Sequence, residues 1–226
     1  MLQSKNKATL TITTKTNKKT NKKMSKPTVF VVYYSTYGHL RAVADKVVEG
    51  LKSTNLVNVE LRQFPETLPQ EVLEKMHAPP KDASVPAFTL DELEAGDAFM
   101  FGFPTRFGTA PAQVKSFIDS TGGLWAKKAL VGKMVGVFSG TGSQSGGQES
   151  NTLTFLPNLI HHGMIFVPMG FTHDNLFEID EVVGGSAYGS GSFASSTGIR
   201  AVSDKEKEMA YHHGESFARV ASKYHS

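Results

Sequence analysis

Residues 29–40 read VFVVYYSTYGHL, and residues 41–51 continue as RAVADKVVEGL. Val29–Tyr34 is an unbroken apolar and aromatic run, the pattern of a strand buried on both faces of a parallel sheet. Leu40, Val43, Ala44, Val47, Val48 and Leu51 then recur at helical spacing. Between strand and helix lie Ser35, Thr36, Tyr37, Gly38 and His39. A helix start offers unpaired N–H groups and partial positive charge, worth about 0.3–1 kcal/mol to a neighbouring anion. Ser35 and Thr36 add hydroxyl donors, and Gly38 lets backbone approach a ligand closely. The stretch suits a terminal phosphate monoester held without lysine. The competing reading is that Ser35 or Thr36 only caps the helix. The lysine-containing signature of nucleoside triphosphatases is absent from this turn.

Outward from this stretch, Val57, Val59 and Leu61 alternate with Asn58 and Glu60, as in a half-exposed strand. Residues 64–95 carry five prolines (65, 69, 79, 80 and 86) around a short helix near Gln70–Met76, and read as an excursion outside the core. Asp97–Gly102 is a third strand, ending in Pro-Thr-Arg-Phe-Gly. Pro111 opens a helix that turns Val114, Phe117 and Ile118 inward. Lys133–Phe138 is a fourth strand, followed by the loop Ser139–Gly147. A helix from Glu149 to His161 and a fifth strand at Met164–Pro168 come next. Gly184–Gly198 is Gly/Ser-rich and reads as a long mobile loop. Asp204 is expected to cap a last amphipathic helix ending near Tyr224.

Alternating strands and helices imply right-handed crossovers and helices on both faces of a parallel sheet. The expected fold is α/β: a flavodoxin-like three-layer sandwich with five strands in the order 2-1-3-4-5. Ligands of such sheets sit at the carboxyl ends of the strands, where the winding reverses. The loops Ser35–His39, Pro104–Gly108 and Ser139–Gly147 all fall there.

The chain has 226 residues and no cysteine. Thiolate nucleophiles, disulfides and Cys-ligated metals are therefore excluded, and any redox chemistry needs a bound cofactor. No apolar run is long enough to span a membrane, and no secretory signal is recognisable. The net charge of +3 conceals an uneven distribution. Eight lysines and no acid fall in residues 1–26, so residues 27–226 hold 16 basic against 21 acidic residues, or −5. The expected organisation is a disordered basic tail, 1–26, and one folded domain, 27–226. The tail is a solvated extension or an electrostatic contact with an anionic membrane; no nucleic-acid partner is expected.

In the third loop, Gly140-Thr141-Gly142 gives a lone G-x-G, weak as a dinucleotide fingerprint because it follows the fourth strand. A loop of small residues (Ser139, Gly140, Thr141, Gly142, Ser143, Gly146, Gly147) can instead wrap a flat ring with backbone N–H donors. The second loop (Pro104, Thr105, Arg106, Phe107, Gly108) supplies a cation for an electron-rich heterocycle and an apolar wall. Trp125, in TGGLWAKKAL, reads as an aromatic wall for a planar substrate at a loop edge, or as core. The histidines, including the pair His161-His162, show no metal-ligand pattern, and no metal is expected.

YYSTYGHL, GFPTRFGTAPAQVKSFIDSTGGLWAKKALVGK, GTGSQSGGQES and HHGMIFVPMG together resemble the tryptophan-repressor-binding-protein-A (WrbA) family. The likeness runs from Val29 to Tyr224, and its loop details are similar to fungal members. The resemblance implies an FMN-dependent NAD(P)H:quinone oxidoreductase. Ser35–Leu40 would hold the FMN phosphate, Thr105–Phe107 would line the isoalloxazine, and 139–147 would close its other edge. His161 would contact the flavin, Trp125 the quinone, and Tyr37 the nicotinamide. The stretch SGTGSQSGGQE is about one residue longer than in bacterial members. The resemblance also implies a homodimer or homotetramer with sites completed across subunits. In this reading NADH or NADPH reduces the flavin and leaves, and a quinone then takes two electrons, with no side chain acting as nucleophile or acid/base. A cytoplasmic role in oxidative-stress protection follows, with peripheral plasma-membrane contact through the tail. The rival readings are a one-electron carrier flavodoxin, or a flavin-binding scaffold at the membrane cortex.

Overall fold

The computed structural model describes residues 25–226. The expectations for the basic tail fall almost wholly on residues 1–24, outside the described residues.

The decisive strand is β1, Thr28–Tyr33, followed by α1, His39–Ser53. β2 is Asn58–Gln63, β3 Ala98–Pro104, β4 Met134–Thr141 and β5 Ile165–Phe166. They form a parallel sheet in the order β2-β1-β3-β4-β5, as the sequence predicts. A sixth strand, β6 (Gly191–Phe193), pairs with β4 at Ser139–Thr141, while β5 pairs with β4 at Met134–Val135.

Successive side chains of β1 feed two cores, the consequence of a period of two in a doubly covered sheet. Val29, Val31 and Tyr33 pack with Leu40, Val43, Val47 and Leu51 of α1 and with Phe217 and Ala218 of the C-terminal helix α7, Asp204–Tyr224. Phe30, Val32 and Tyr34 face the opposite core, with α4 (Ala112–Asp119) and α6 (Gln148–His161). That second core is rich in phenylalanine. Ring pairs such as Phe103–Phe155 at 4.7 Å and Phe88–Phe117 at 5.2 Å each contribute about 0.5–1.5 kcal/mol beyond area burial.

Five expectations need correction. The 64–95 excursion is not outside the core: Phe64, Val85, Phe88 and Leu93 are buried. Its prolines interrupt regular structure, but the spaced apolar residues between them still reach the sheet. The excursion holds two short helices, α2 (Gln70–Lys75) and α3 (Leu90–Ala95). The 184–198 stretch is not a free loop, because Ser190–Phe193 are buried and three of them form β6. Serine and glycine there satisfy a tight, polar edge strand. The cap of α7 is Ser203, which accepts from the Glu206 N–H in a capping box, so Asp204 is the first helical residue. Finally, β4 continues through Ser139, Gly140 and Thr141, which makes them strand residues. The short helix α5, Gly122–Ala126, holds Trp125 where a loop edge was expected.

Candidate functional site

A cavity of about 350 Å³ opens at the carboxyl ends of β1, β3 and β4. The three predicted loops meet in it. Ser35, Thr36, Tyr37, His39 and Leu40 line one side, Pro104, Thr105 and Arg106 another, and Gly140, Thr141 and Gly142 a third.

At the first loop, Gly38 sits at the start of α1 with φ +95°, a conformation that favours glycine. Ser35 Oγ accepts the Gly38 N–H at 3.0 Å, so Ser35 braces the turn. No side chain caps the helix itself. Among the described residues, the backbone N–H groups of Thr36, Tyr37, His39, Leu40 and Arg41 have no acceptor. A Cβ placed on Gly38 would meet nothing within 4 Å. Unpaired amides around open space form a cradle with the chemistry to receive an anion. Thr36, buried, accepts from Arg106 Nη2 at 3.2 Å, which brings a cation to the rim of this cradle. His39 Nε2 contacts the Arg200 carbonyl at 2.9 Å.

The second loop is a two-residue hairpin. Arg106 N–H donates to Thr109 O at 2.7 Å and Thr109 N–H returns to Arg106 O at 3.2 Å. Positive φ at Phe107 (52°) and Gly108 (84°) makes the tip a type I′ turn. Phe107, expected to wall the cavity, does not line it within one chain: at this tip its ring is fully exposed. Gly108 lies against the third loop instead. A Cβ on Gly147 (φ +96°) would come within 3.4 Å of Gly108 Cα and 2.5 Å of Ser150 Oγ. Gly147 is thus the close-approach point between the two loops and the start of α6.

Gly38, Gly108, Ser139, Ser143, Gly146 and Gly147 do not line the cavity and act by shaping its loops. Ser143 O, for example, accepts from both Gly146 N–H and Thr141 Oγ1. Three lining residues are absent from the sequence reading: Met76, Ser192 and Ala194. Ser192 Oγ is buried, faces the cavity region and has no hydrogen-bond partner. An orphaned hydroxyl of this kind calls for a ligand or water.

Two buried polar groups hold this wall. Gln148 Nε2 donates to Thr141 Oγ1 at 3.0 Å and to Ser192 O at 2.9 Å. The fully buried Glu206 accepts from the N–H groups of Gly184, Phe193 and Ser203 and from Arg200 Nη1 at 2.9 Å. Glu206 is the third helical residue of the Ser203 capping box. Its use as an anchor for β6 was not legible in sequence, because the donors lie 13 and 22 residues away in a Gly/Ser stretch.

Trp125 and His161 stand apart from this cavity. Trp125 Nε1 donates to His161 O at 3.0 Å, and both border a separate depression with Ile118, Pro157, Asn158 and His162. Within one chain, therefore, neither residue reaches the three-loop cavity. His162 Nε2 contacts Thr121 Oγ1 at 2.7 Å, and burial lowers its pKa.

Beneath the first loop, Glu66 accepts from Tyr34 OH at 3.0 Å and Gln113 Nε2 at 2.9 Å, and pairs with Lys81 at 3.0 Å. Burial opposes its ionisation, but the Leu68 N–H, Lys81 and Gln113 outweigh that and bring its pKa to about 2. Burial, reinforced by the Glu66 charge, pushes the Tyr34 hydroxyl up to about 12. Neither group changes protonation near neutrality, so this cluster braces the loop and supplies no acid or base.

A family model described as NADPH-dependent FMN reductase matches residues 27–176. The chain belongs to this family. Among its relatives, the quinone-oxidoreductase QR2 of Triphysaria versicolor is 50% identical over 196 residues, 86% of this chain and 95% of that protein. The P25 protein of Schizosaccharomyces pombe is 50% identical over 195 residues, 85% and 96% of the two chains. An NAD(P)H dehydrogenase (quinone) of Geobacter metallireducens is 44% identical over 86% of this chain and 98% of its own. A WrbA-like flavodoxin structure from Agrobacterium tumefaciens superposes with a TM-score of 0.61 at 22% identity, covering 88% of this chain and 99% of that one. That likeness shows the flavodoxin-like fold.

Proposed function

We propose that this protein is an FMN-dependent NAD(P)H:quinone oxidoreductase that reduces quinones by two electrons and protects against oxidative stress. The observation that carries the reading is the cradle of unpaired amides at the start of α1, beside the buried, partnerless Ser192 hydroxyl. Those donors fit a flavin bearing a phosphate monoester. Bound FMN would supply the two-electron redox chemistry that links a nicotinamide donor to a quinone acceptor.

The chain's share is binding, orientation and electrostatics. The amides of Thr36, Tyr37, His39, Leu40 and Arg41 would hold the phosphate, with Arg106 adding charge at the rim. Thr105, Gly140–Gly142 and Ser192 would border the ring. Arg106 and the loop N–H groups would favour negative charge on the ring through fixed donors that need no rearrangement. Residues 27–226 would serve as one FMN-binding domain, a reading supported by the packing of α7, at its end, on α1, near its beginning.

The separation of Trp125 and His161 from the cavity supports completion of the site by a second copy, in a homodimer or homotetramer. Leu153, Ile160, Trp125 and Phe107 are all exposed, and Leu153, Pro157 and Ile160 follow helical spacing along α6. Among the described residues, no helix is long and apolar enough to cross a membrane. The proposed location is the cytoplasm, with peripheral membrane contact through the lysine-rich tail. Deleting residues 1–23 should then abolish binding to anionic vesicles while turnover persists.

The direct test is reconstitution with FMN and stopped-flow mixing with NADH, then benzoquinone. The flavin absorbance should bleach with the first and recover with the second. Absence of bound flavin, or bleaching without recovery, would refute the reading.

A further inference from the structure

The wall of the cavity contributed by the 64–95 excursion has no role in the reading above, although Met76 lines the cavity. Met76 ends α2. His77 N–H bonds to Glu74 O and Ala78 N–H to Leu73 O, both at 3.0 Å, and His77 has φ +52°. This is a Schellman ending with histidine where glycine is usual. It stops the helix abruptly, with Met76 beside the cavity. There the Tyr37 hydroxyl donates to Met76 O at 3.1 Å.

α2 itself is held lightly. None of its residues is buried, and a cavity of about 210 Å³ lies between it and the first loop, bordered by Thr36, Gln70 and Leu73. Beyond its two ends the chain is tied down: Glu66 binds the Thr67 and Leu68 N–H groups, and Lys81 Nζ donates to Ser35 O at 3.0 Å. Little apolar area resists movement of the helix between those anchors. Its position relative to the site is fixed mainly by the Tyr37–Met76 bond.

We propose that the Met76 end of α2 is a specificity-determining wall for the dinucleotide donor. The inference rests on the oxidoreductase reading. Met76 stands beside the amide cradle, the phosphate end of the cavity. A one-ring quinone placed among the ring-binding loops has nothing that extends to it. A dinucleotide with its nicotinamide over the same loops is long enough for its two phosphates and adenosine to leave the cavity across Tyr37 and Met76, which both line it. An unbranched, polarizable thioether adapts to such a ligand better than a branched side chain does.

The test uses the FMN-loaded protein, with Met76→Ala and Tyr37→Phe, the latter keeping the ring but removing the hydroxyl. Both should weaken binding of NADP⁺, measured by calorimetry, by about tenfold, equivalent to about 1.4 kcal/mol. In steady state, kcat/KM for NADPH should fall about tenfold in Met76→Ala while its kcat/KM for benzoquinone moves by less than about threefold. In the wild type, NADP⁺ should slow amide hydrogen exchange across residues 70–78. Unchanged NADP⁺ affinity, equal losses for both substrates, or exchange unaffected by NADP⁺ would each overturn the inference. A wild type that binds and is protected by NADP⁺ but never reduces benzoquinone would instead refute the oxidoreductase reading and leave the donor wall standing.

Discussion

Glu206→Gln is the substitution with the most to say about how the cavity is built. The change is isosteric, so no cavity opens and the loss is purely polar. Glu206 is fully buried, and its two oxygens accept from three backbone N–H groups and the Arg200 guanidinium. The amide NH₂ of glutamine would confront donors, and the Arg200 charge would lose its partner. Removing one member of a buried ion pair costs about 3–5 kcal/mol. For a domain of this size each kcal/mol lowers Tm by about 2–4 °C, so a fall of roughly 6–20 °C is expected. Thermal unfolding followed by circular dichroism measures it. Glu49→Gln, which breaks the exposed Lys46–Glu49 pair at 2.6 Å, is the control and should change stability by no more than about 1 kcal/mol. Because Phe193 N–H is one of the orphaned donors, the variant should also bind FMN more weakly through displacement of Ser192. If Glu206→Gln melts within about 2 °C of the control, a shift that amounts to no more than about 1 kcal/mol, the buried anchor is not what holds β6 in place.

Three further outcomes follow from the geometry. Gly38→Val forces a β-branched residue into a left-handed conformation at about 1–3 kcal/mol and fills the open space before the cradle; purified protein should carry less FMN, and equal flavin content would count against the phosphate assignment. Trp125→Ala should lower kcat/KM for quinones by about 2- to 12-fold, the worth of one aromatic contact, and leave flavin retention nearly intact; identical kinetics with several quinones would show that Trp125 lies outside the assembled site. Burial, with the nearby His212, holds the His213 pKa at about 3 against an ordinary 6.5. Between those values the unfolded chain binds a proton that the native state refuses, so stability falls as pH drops from 6.5 toward 3, by up to about 1.4 kcal/mol per pH unit. Glu66, whose folded pKa of about 2 lies below its ordinary 4.5, adds a loss in the same direction only below 4.5. Urea midpoints of His213→Gln should therefore depend less on pH between 6.5 and 4.5 than those of the wild type; parallel dependences would refute this.

The fold was legible where apolar period and turn chemistry agreed. The run Val29–Tyr34, the helical stripe after it and the Pro111 helix start each had one reading, and the strand order followed from their alternation. The excursion was misjudged because Phe64, Phe88 and Leu93 are isolated apolar residues among prolines, with no period to betray burial. β6 escaped because three residues of Gly-Ser-Phe carry too little pattern, and it is their pairing with β4, anchored by the distant Gln148 and Glu206, that makes them a strand. The turn of unpaired amides was readable because it is local, a strand, a glycine and a helix within a dozen residues. The positions of Phe107, Trp125 and Met76 were not, since each depends on where a loop tip or helix end points after folding. Sequence likeness implied that His161 contacts the flavin and Trp125 the quinone, whereas in one chain both border a depression separate from the three-loop cavity.

The divided fifth position of the sheet has a consequence for solubility. An outer rung two residues long near the bottom of β4, and another of three residues near the top, leave no continuous row of free amides for a stray strand to copy. On this side the sheet is thereby defended against amyloid-like stacking by geometry, whereas the opposite edge, the six-residue β2, carries the charged Glu60 and Arg62.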